Sequence, residues 1–190
     1  MKEPMQKYFK IGIVHFMAYP FAMTGEGDIE TSVRSILEDP YFDYIELTQI
    51  KDPIVRGRVA DLAKQGGVGL AYGAQPQLMR NQENLNSLDE ALRLQGVQRM
   101  KTCVDEAYEL GAEGIAFLAG KYDARNIEKY YQALVRSTKE ICAYSAAKGN
   151  LHINLEIFDK DVEKKSLIGP VDLAVRFAEE IYPEYPQFGL

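Results

Sequence analysis

The chain has 190 residues, 46% hydrophobic and 26% charged, so it can bury one sizeable core, and we expect a single domain over residues 1–190. The net charge of −6 counts against a nucleic-acid partner, because binding to phosphate backbones depends on clustered Lys and Arg. The sequence shows no signal-peptide pattern and no run of about 18 apolar residues that would span a membrane. We therefore expect a cytoplasmic protein without membrane contacts.

Segments with strand-like composition alternate along the chain with segments of helical periodicity. The predicted strands cover residues 11–16, 44–48, 68–73, 114–118 and 152–157. The predicted helices cover about 29–37, 53–66, 87–110, 126–149 and 171–181. A further strand-like run begins at Phe188.

The segment between the third strand and the next helix is longer than a minimal connection. Residues 75–86 are polar and read as a loop that borders a pocket. Ser87 and Glu90 match a capping box, in which the two side chains satisfy the free amide groups of the first helical turn. This pattern predicts that the long helix begins at Ser87.

Strict strand–helix alternation predicts a parallel sheet covered by crossover helices, for which two architectures remain open. One is a doubly wound open sheet, and the other is the start of an eightfold barrel. The first strand is not followed by Gly-x-Gly-x-x-Gly, since Gly25-Glu26-Gly27 lacks the third glycine. The sequence also lacks the phosphate-loop pattern, Gly-x-Ser-x-Gly, His-Glu-x-x-His and any Cys/His zinc pattern. Carboxylate chemistry is what remains.

The fifth predicted strand ends in a glutamate. Because side chains alternate between the faces of a strand, Ile153 and Leu155 are expected to pack against helices, while His152, Asn154 and Glu156 point the other way. An inward carboxylate at the C-terminal end of a strand lies where α/β barrels carry their chemistry. The alternative is that Glu156 pairs with a lysine on a neighbouring strand.

The chain resembles the xylose isomerase-like TIM barrel superfamily of sugar isomerases and epimerases, which also includes type IV AP endonucleases. The resemblance covers nearly the whole chain. It rests on three stretches, which are Phe42–Leu47, the residues from Ser87 through Arg93 to Ala112, and Asn154–Asp159. The fold that it implies is a parallel (β/α) barrel, and the runner-up doubly wound sheet stays open at this point.

A complete eightfold barrel needs about 250 residues. We therefore expect an incomplete barrel of about five βα units plus the start of strand six, corresponding to the N-terminal portion of a barrel. The alternative is a small protein that completes its sheet in a homo-oligomer. The resemblance implies that Glu156 is a metal ligand and catalytic residue, with the remaining ligands beyond Leu190. The expected cofactor is a divalent ion, Mg, Mn, Co or Zn.

The resemblance also suggests substrate-binding residues in the loops and on the inward face. Glu46 matches the second-strand glutamate, with an orienting role or a salt-bridged structural one. His15 is expected to end strand one and to contact a sugar hydroxyl, or to be a structural histidine. Gln75 lies in a loop that can approach substrate. Lys165 is a candidate for a substrate phosphate or carboxylate, and Asp159 for holding a ligand or lysine in place.

The function that these expectations imply is a metal-dependent isomerase or epimerase. It would act on a small sugar or sugar derivative by proton transfer through an enediolate. Two alternatives remain: a dehydratase or AP endonuclease-type enzyme on the same scaffold, and an inactive barrel or interaction domain.

Overall fold

The computed structural model describes residues 3–190 and contains one six-stranded sheet. The strands are β1 Gly12–Val14, β2 Tyr44–Leu47, β3 Gly69–Gly73, β4 Gly114–Leu118, β5 His152–Glu156 and β6 Phe188–Gly189. Every neighbouring pair is parallel, and the spatial order follows the chain order from β1 to β6. Doubly wound sheets reverse their strand order at a switch point, so the sequential order identifies the barrel architecture.

The sheet is an incomplete barrel. Within residues 3–190, β1 pairs only with β2, and β6 pairs only with β5, so the sheet does not close on itself. The prediction of a barrel with about five βα units and the start of a sixth strand is confirmed.

Seven α-helices in the described part of the chain connect the strands. They are α1 His15–Ala18, α2 Ile29–Leu37, α3 Pro53–Gly66, α4 Gln75–Arg80, α5 Glu90–Leu110, α6 Ile127–Ala146 and α7 Val171–Ile181. Aspartates cap three of them by accepting backbone N–H bonds, at Asp28, Asp52 and Asp89. A short 3₁₀ helix, Pro20–Thr24, follows α1.

The hydrophobic core lies between the sheet and the helices. The fully buried residues Ile45, Tyr72, Ile115 and Phe117 face the helix layer, as does Leu155 on β5. Residues at the alternate positions of the strands are half-buried or exposed. The predicted alternation on the fifth strand is therefore confirmed, and the second face of the sheet carries its polar side chains.

Three local predictions from the sequence are wrong. Strand one ends at Val14, and His15 begins α1 instead of ending the strand. The supposed loop after β3 contains the helix α4. The long helix begins at Glu90 with Asp89 as its cap, because the Asp89 carboxylate reaches the free amides, whereas Ser87 accepts only the N–H of Asp89.

Among residues 3–190, none of the helices combines the length and apolar character that crossing a bilayer requires.

The open strands β1 and β6 leave backbone groups at both edges of the sheet. Such edges pair readily with other chains, so we expect the 190-residue chain to self-associate with increasing concentration. Sedimentation velocity across a hundredfold concentration range measures this. A single monomeric species at every concentration would contradict the expectation.

Candidate functional site

Glu156 is the last residue of β5 and lies at the C-terminal edge of the sheet. Its half-buried side chain lines an open cavity of about 460 Å³ on the inward face, together with Glu46 and Asn154. Within the described residues, the Glu156 carboxylate has neither a hydrogen bond nor an ion pair with protein groups. The alternative of a lysine pair on a neighbouring strand is therefore not seen, and the carboxylate is available to a ligand.

Glu46 occupies the same inward face on β2. The register places it in one row with Ala71, Gly114 and His152, and Glu156 lies four residues beyond His152 on β5. Burial raises the pKa of Glu46 to about 7, and the negative charge of Glu156 adds to this shift. Glu46 therefore exchanges a proton near neutral pH, which an ordinary exposed glutamate does not.

Gly73, at the end of β3, is covered by three side chains. A Cβ added there would lie 2.7 Å from Glu46 Oε1, 2.8 Å from Gln75 Oε1 and 3.0 Å from Phe16 Cε1. Gln75 and Phe16 are both buried, and Gln75 Oε1 has no hydrogen-bond donor among the described residues. The absence of a side chain at Gly73 is what allows Glu46, Gln75 and Phe16 to come this close to the β3 backbone.

His15 lies beside the site and is directed away from it. Its ring is almost fully buried, and Nε2 is 2.8 Å from Ser32 Oγ on α2. Burial lowers the pKa of His15 to about 4, so the imidazole is neutral at physiological pH. This environment favours the structural alternative, and a substrate contact by His15 remains a prediction.

Asp159 and Lys165 belong to the loop between β5 and α7. The Asp159 carboxylate accepts the backbone N–H groups of Val162, Glu163 and Lys164 at 2.6 to 2.9 Å, and these bonds lower its pKa. Lys165 is exposed and has a positive φ of 51°. Asp159 thus shapes the loop that presents Lys165, and a substrate contact by either residue remains a prediction.

A divalent ion needs several oxygen or nitrogen ligands. Among residues 3–190, no three His, Cys, Asp or Glu side chains come together closely enough to hold one. Glu156 fits one ligand position, because it is an unpaired hard oxygen donor at the C-terminal edge of the strands, where α/β barrels carry their chemistry. The described residues therefore fit part of a ligand shell.

Sequence reasoning missed Phe16 and the role of Gly73. Phe16 was placed in a strand next to His15, and only the turn into α1 brings its ring over Gly73. The three neighbours of Gly73 come from β2, α1 and α4, a combination that local patterns do not reveal.

The fold and this site define an α/β barrel protein with carboxylates at the C-terminal edge of its strands. The sequence model described as "Xylose isomerase-like TIM barrel" matches residues 25–183, and the chain belongs to this family. No curated protein sequence matches the chain significantly.

Several solved structures share the fold. D-psicose 3-epimerase from Clostridium cellulolyticum H10, determined with D-tagatose, has a TM-score of 0.74 at 18% identity, covering 95% of this chain and 62% of its own. An L-ribulose 3-epimerase has a TM-score of 0.65 at 19% identity, and the match covers 93% of this chain and 58% of that protein. The 3-keto-D-glucoside 4-epimerase of E. coli, in its apo form, has a TM-score of 0.63 at 16% identity. The match covers 95% of this chain and 66% of that protein. The chain thus spans about three fifths of the first two proteins.

Replacing Gly73 by alanine tests the packing over this glycine. The new Cβ would collide with Glu46, Gln75 and Phe16, so we expect a loss of about 1–3 kcal/mol in the free energy of unfolding. Urea denaturation measures the change. In the control Gly57→Ala, the added Cβ meets nothing on the exposed side of α3, and we expect a gain of about 0.5–1 kcal/mol. Equal effects of the two substitutions would contradict the packing described.

Replacing Glu46 by glutamine tests its raised pKa. The folded protein keeps the Glu46 proton up to about pH 7, whereas the unfolded chain releases it near 4.5. The contribution of Glu46 to the free energy of unfolding is therefore fully present below pH 4.5 and is lost as the pH rises through 7. Glutamine imitates the protonated acid, so Glu46→Gln should match the wild type near pH 4.5. It should be more stable by about 1–2 kcal/mol at pH 8, a value reduced for the partial exposure of Glu46.

Urea unfolding at pH 4.5, 6 and 8 measures this difference. His15 has a lowered pKa and gives an opposite slope, which both proteins share, so the difference between them isolates Glu46. Glu113→Gln, which changes another carboxylate lining the same cavity, is the control. A difference between Glu46→Gln and the wild type that does not change with pH would contradict the raised pKa.

Proposed function

We propose that the protein is a metal-dependent isomerase or epimerase acting on a small sugar or sugar derivative. The observation that carries the proposal is the unpaired carboxylate of Glu156 at the C-terminal edge of β5, facing a cavity that it shares with Glu46. The chain belongs to the xylose isomerase-like family, and sugar epimerases are among its structural neighbours. Both findings support a sugar substrate.

The reaction would remove a proton from a carbon next to a carbonyl and return it. Glu156 would serve first as a ligand for a divalent cation and second as a group that moves this proton. A bound cation would polarise the carbonyl oxygen and stabilise the negative charge that develops on it. The half-buried position of Glu156 suits both roles, because it is reachable from the cavity and lies away from competing protein cations.

Glu46 would bind and orient the substrate from the opposite side of the cavity. With a pKa of about 7, its carboxyl group can donate a hydrogen bond when protonated and accept one when ionised. A sugar hydroxyl can use either form. Gln75 and Glu46 both approach Gly73, and Gln75 would support the orientation of Glu46 from there.

The loop residues would act at the mouth of the cavity. Lys165 is an exposed cation near the C-terminal edge and would attract an anionic substituent if the substrate carries one. Asp159 would hold the loop in shape through its three backbone bonds. His15 would support the site from α1 as a neutral ring.

In a version of this protein with a complete barrel, Glu156→Gln tests the proposal directly. The substitution keeps size and hydrogen-bonding capacity and removes the charge that a divalent ion requires. We expect Mn²⁺ affinity and the interconversion of ketoses to fall together by at least about tenfold, with the fold retained because no core volume changes. Calorimetric Mn²⁺ titration and a panel of ketoses, assayed before and after chelation, measure both quantities.

Glu113→Gln is the matched control, since Glu113 lines the same cavity at the N-terminal end of β4. We expect it to keep wild-type metal binding and turnover. Wild-type metal affinity and turnover in Glu156→Gln would refute the assignment of Glu156. Intact folding without turnover of any ketose by the wild type would favour an inactive barrel or interaction domain.

A further inference from the structure

A chain of buried polar side chains lies behind β3, on the helix side of the sheet. Tyr72 is fully buried, and its hydroxyl donates to Glu106 Oε2 on α5 at 2.6 Å. The same hydroxyl accepts a hydrogen bond from Gln77 Nε2 on α4 at 2.5 Å. A buried carboxylate and a buried amide thus meet through one tyrosine hydroxyl.

The direction of these bonds is fixed by chemistry. An amide nitrogen can only donate, and an ionised carboxylate can only accept, so the Tyr72 hydroxyl must receive from one side and donate to the other. Burial raises the pKa of Tyr72 well above its usual range, and the charge of Glu106 adds to this effect, so the hydroxyl keeps its proton. Aligned bonds of this kind strengthen one another.

Glu106 extends the connection to the segment after β2. Its Oε1 lies 3.4 Å from Gln49 Nε2 and 3.8 Å from the Arg56 guanidinium. Arg80 of α4 in turn donates to Gln49 Oε1 at 3.1 Å. Glu106 is therefore held in place by α3 and the β2 segment, and it offers α4 a fixed anchor.

Helix α4 depends on this anchor because it has little stability of its own. It has only six residues, too few for an isolated helix to persist in water. The Gln77 side chain makes its one hydrogen bond to Tyr72, and Gln77 Oε1 has no partner within residues 3–190. Losing the Tyr72 hydroxyl would leave the whole buried amide unsatisfied.

The inward end of α4 belongs to the candidate site. Gln75 precedes Gln77 by two residues, and its Oε1 approaches Gly73, as does the Oε1 of Glu46. We propose that Tyr72 and Glu106 are positioning residues, whose hydrogen-bonded chain through Gln77 fixes α4 and so holds Gln75 beside Gly73, where the Glu46 carboxylate also lies. The link to substrate binding rests on the proposed function, whereas the anchoring of α4 does not.

Tyr72→Phe tests the anchor by removing one hydroxyl and keeping the ring. The matched control is Tyr131→Phe, because Tyr131 is equally buried and its hydroxyl donates to Glu180 at 2.9 Å, between α6 and α7 and away from the site. The backbone N–H groups of Leu78 and Asn81 donate to the carbonyl oxygens of Ala74 and Gln77, so their hydrogen-exchange rates report on the stability of α4. We expect exchange about tenfold faster in Tyr72→Phe and unchanged in Tyr131→Phe.

Glu106→Gln provides the conservative variant, since its amide oxygen can still accept from Tyr72. We expect the α4 amide hydrogens of Glu106→Gln to exchange faster than those of the wild type and more slowly than those of Glu106→Leu. The proposal would be overturned if the α4 amides of Tyr72→Phe exchanged at the wild-type rate. It would also be overturned if Tyr131→Phe accelerated their exchange as much as Tyr72→Phe does.

Kinetics with the ketose that the protein converts best give a second readout. Because the Tyr72 hydroxyl is buried against Glu106 and Gln77, away from the cavity of Glu156, we expect KM to rise several-fold in Tyr72→Phe while kcat stays within about twofold. A fall in kcat with unchanged KM would overturn the positioning role. If the wild type converts no ketose, the proposed function fails and the exchange experiment still decides whether Tyr72 and Glu106 anchor α4.

Discussion

The alternation of side chains along parallel strands is the constraint on which this structure depends. Residues such as Ile45 and Leu155 are locked into the helix layer, so their neighbours Glu46 and Glu156 must face the other side of the sheet. A shift of one residue in either strand would bury a carboxylate among apolar side chains and expose a core residue. The hydrophobic core therefore fixes where the polar chemistry lies.

Once both carboxylates share the inward face, their electrostatics follow. The Glu46 carboxylate lies close to Gly73, which the ring of Phe16 and the side chain of Gln75 also approach. Its proton is retained to about pH 7 because burial and the charge of Glu156 both disfavour ionisation. Carboxylates with perturbed pKa values of this kind are frequent at functional sites.

Strand β3 connects the two sides of the sheet. Tyr72 points outward to the buried chain with Glu106 and Gln77, and the next residue, Gly73, forms the inward floor beneath Glu46. Helix α4 follows directly and touches both sides through Gln77 and Gln75. A few covalently adjacent residues thus contact both the helix layer and the surroundings of Gly73.

The sequence alone determined the strand–helix alternation, the inward direction of Glu156 and the family resemblance, because periodicity and short motifs are local properties. It left the doubly wound sheet open, since strand order depends on contacts between distant segments. Only the tertiary structure turned Phe16, and not His15, toward Gly73, and only it brought Gln75 and Glu46 to the same glycine. Those contacts join α1, β2 and α4, and their free energy comes from packing between elements that local patterns do not encode.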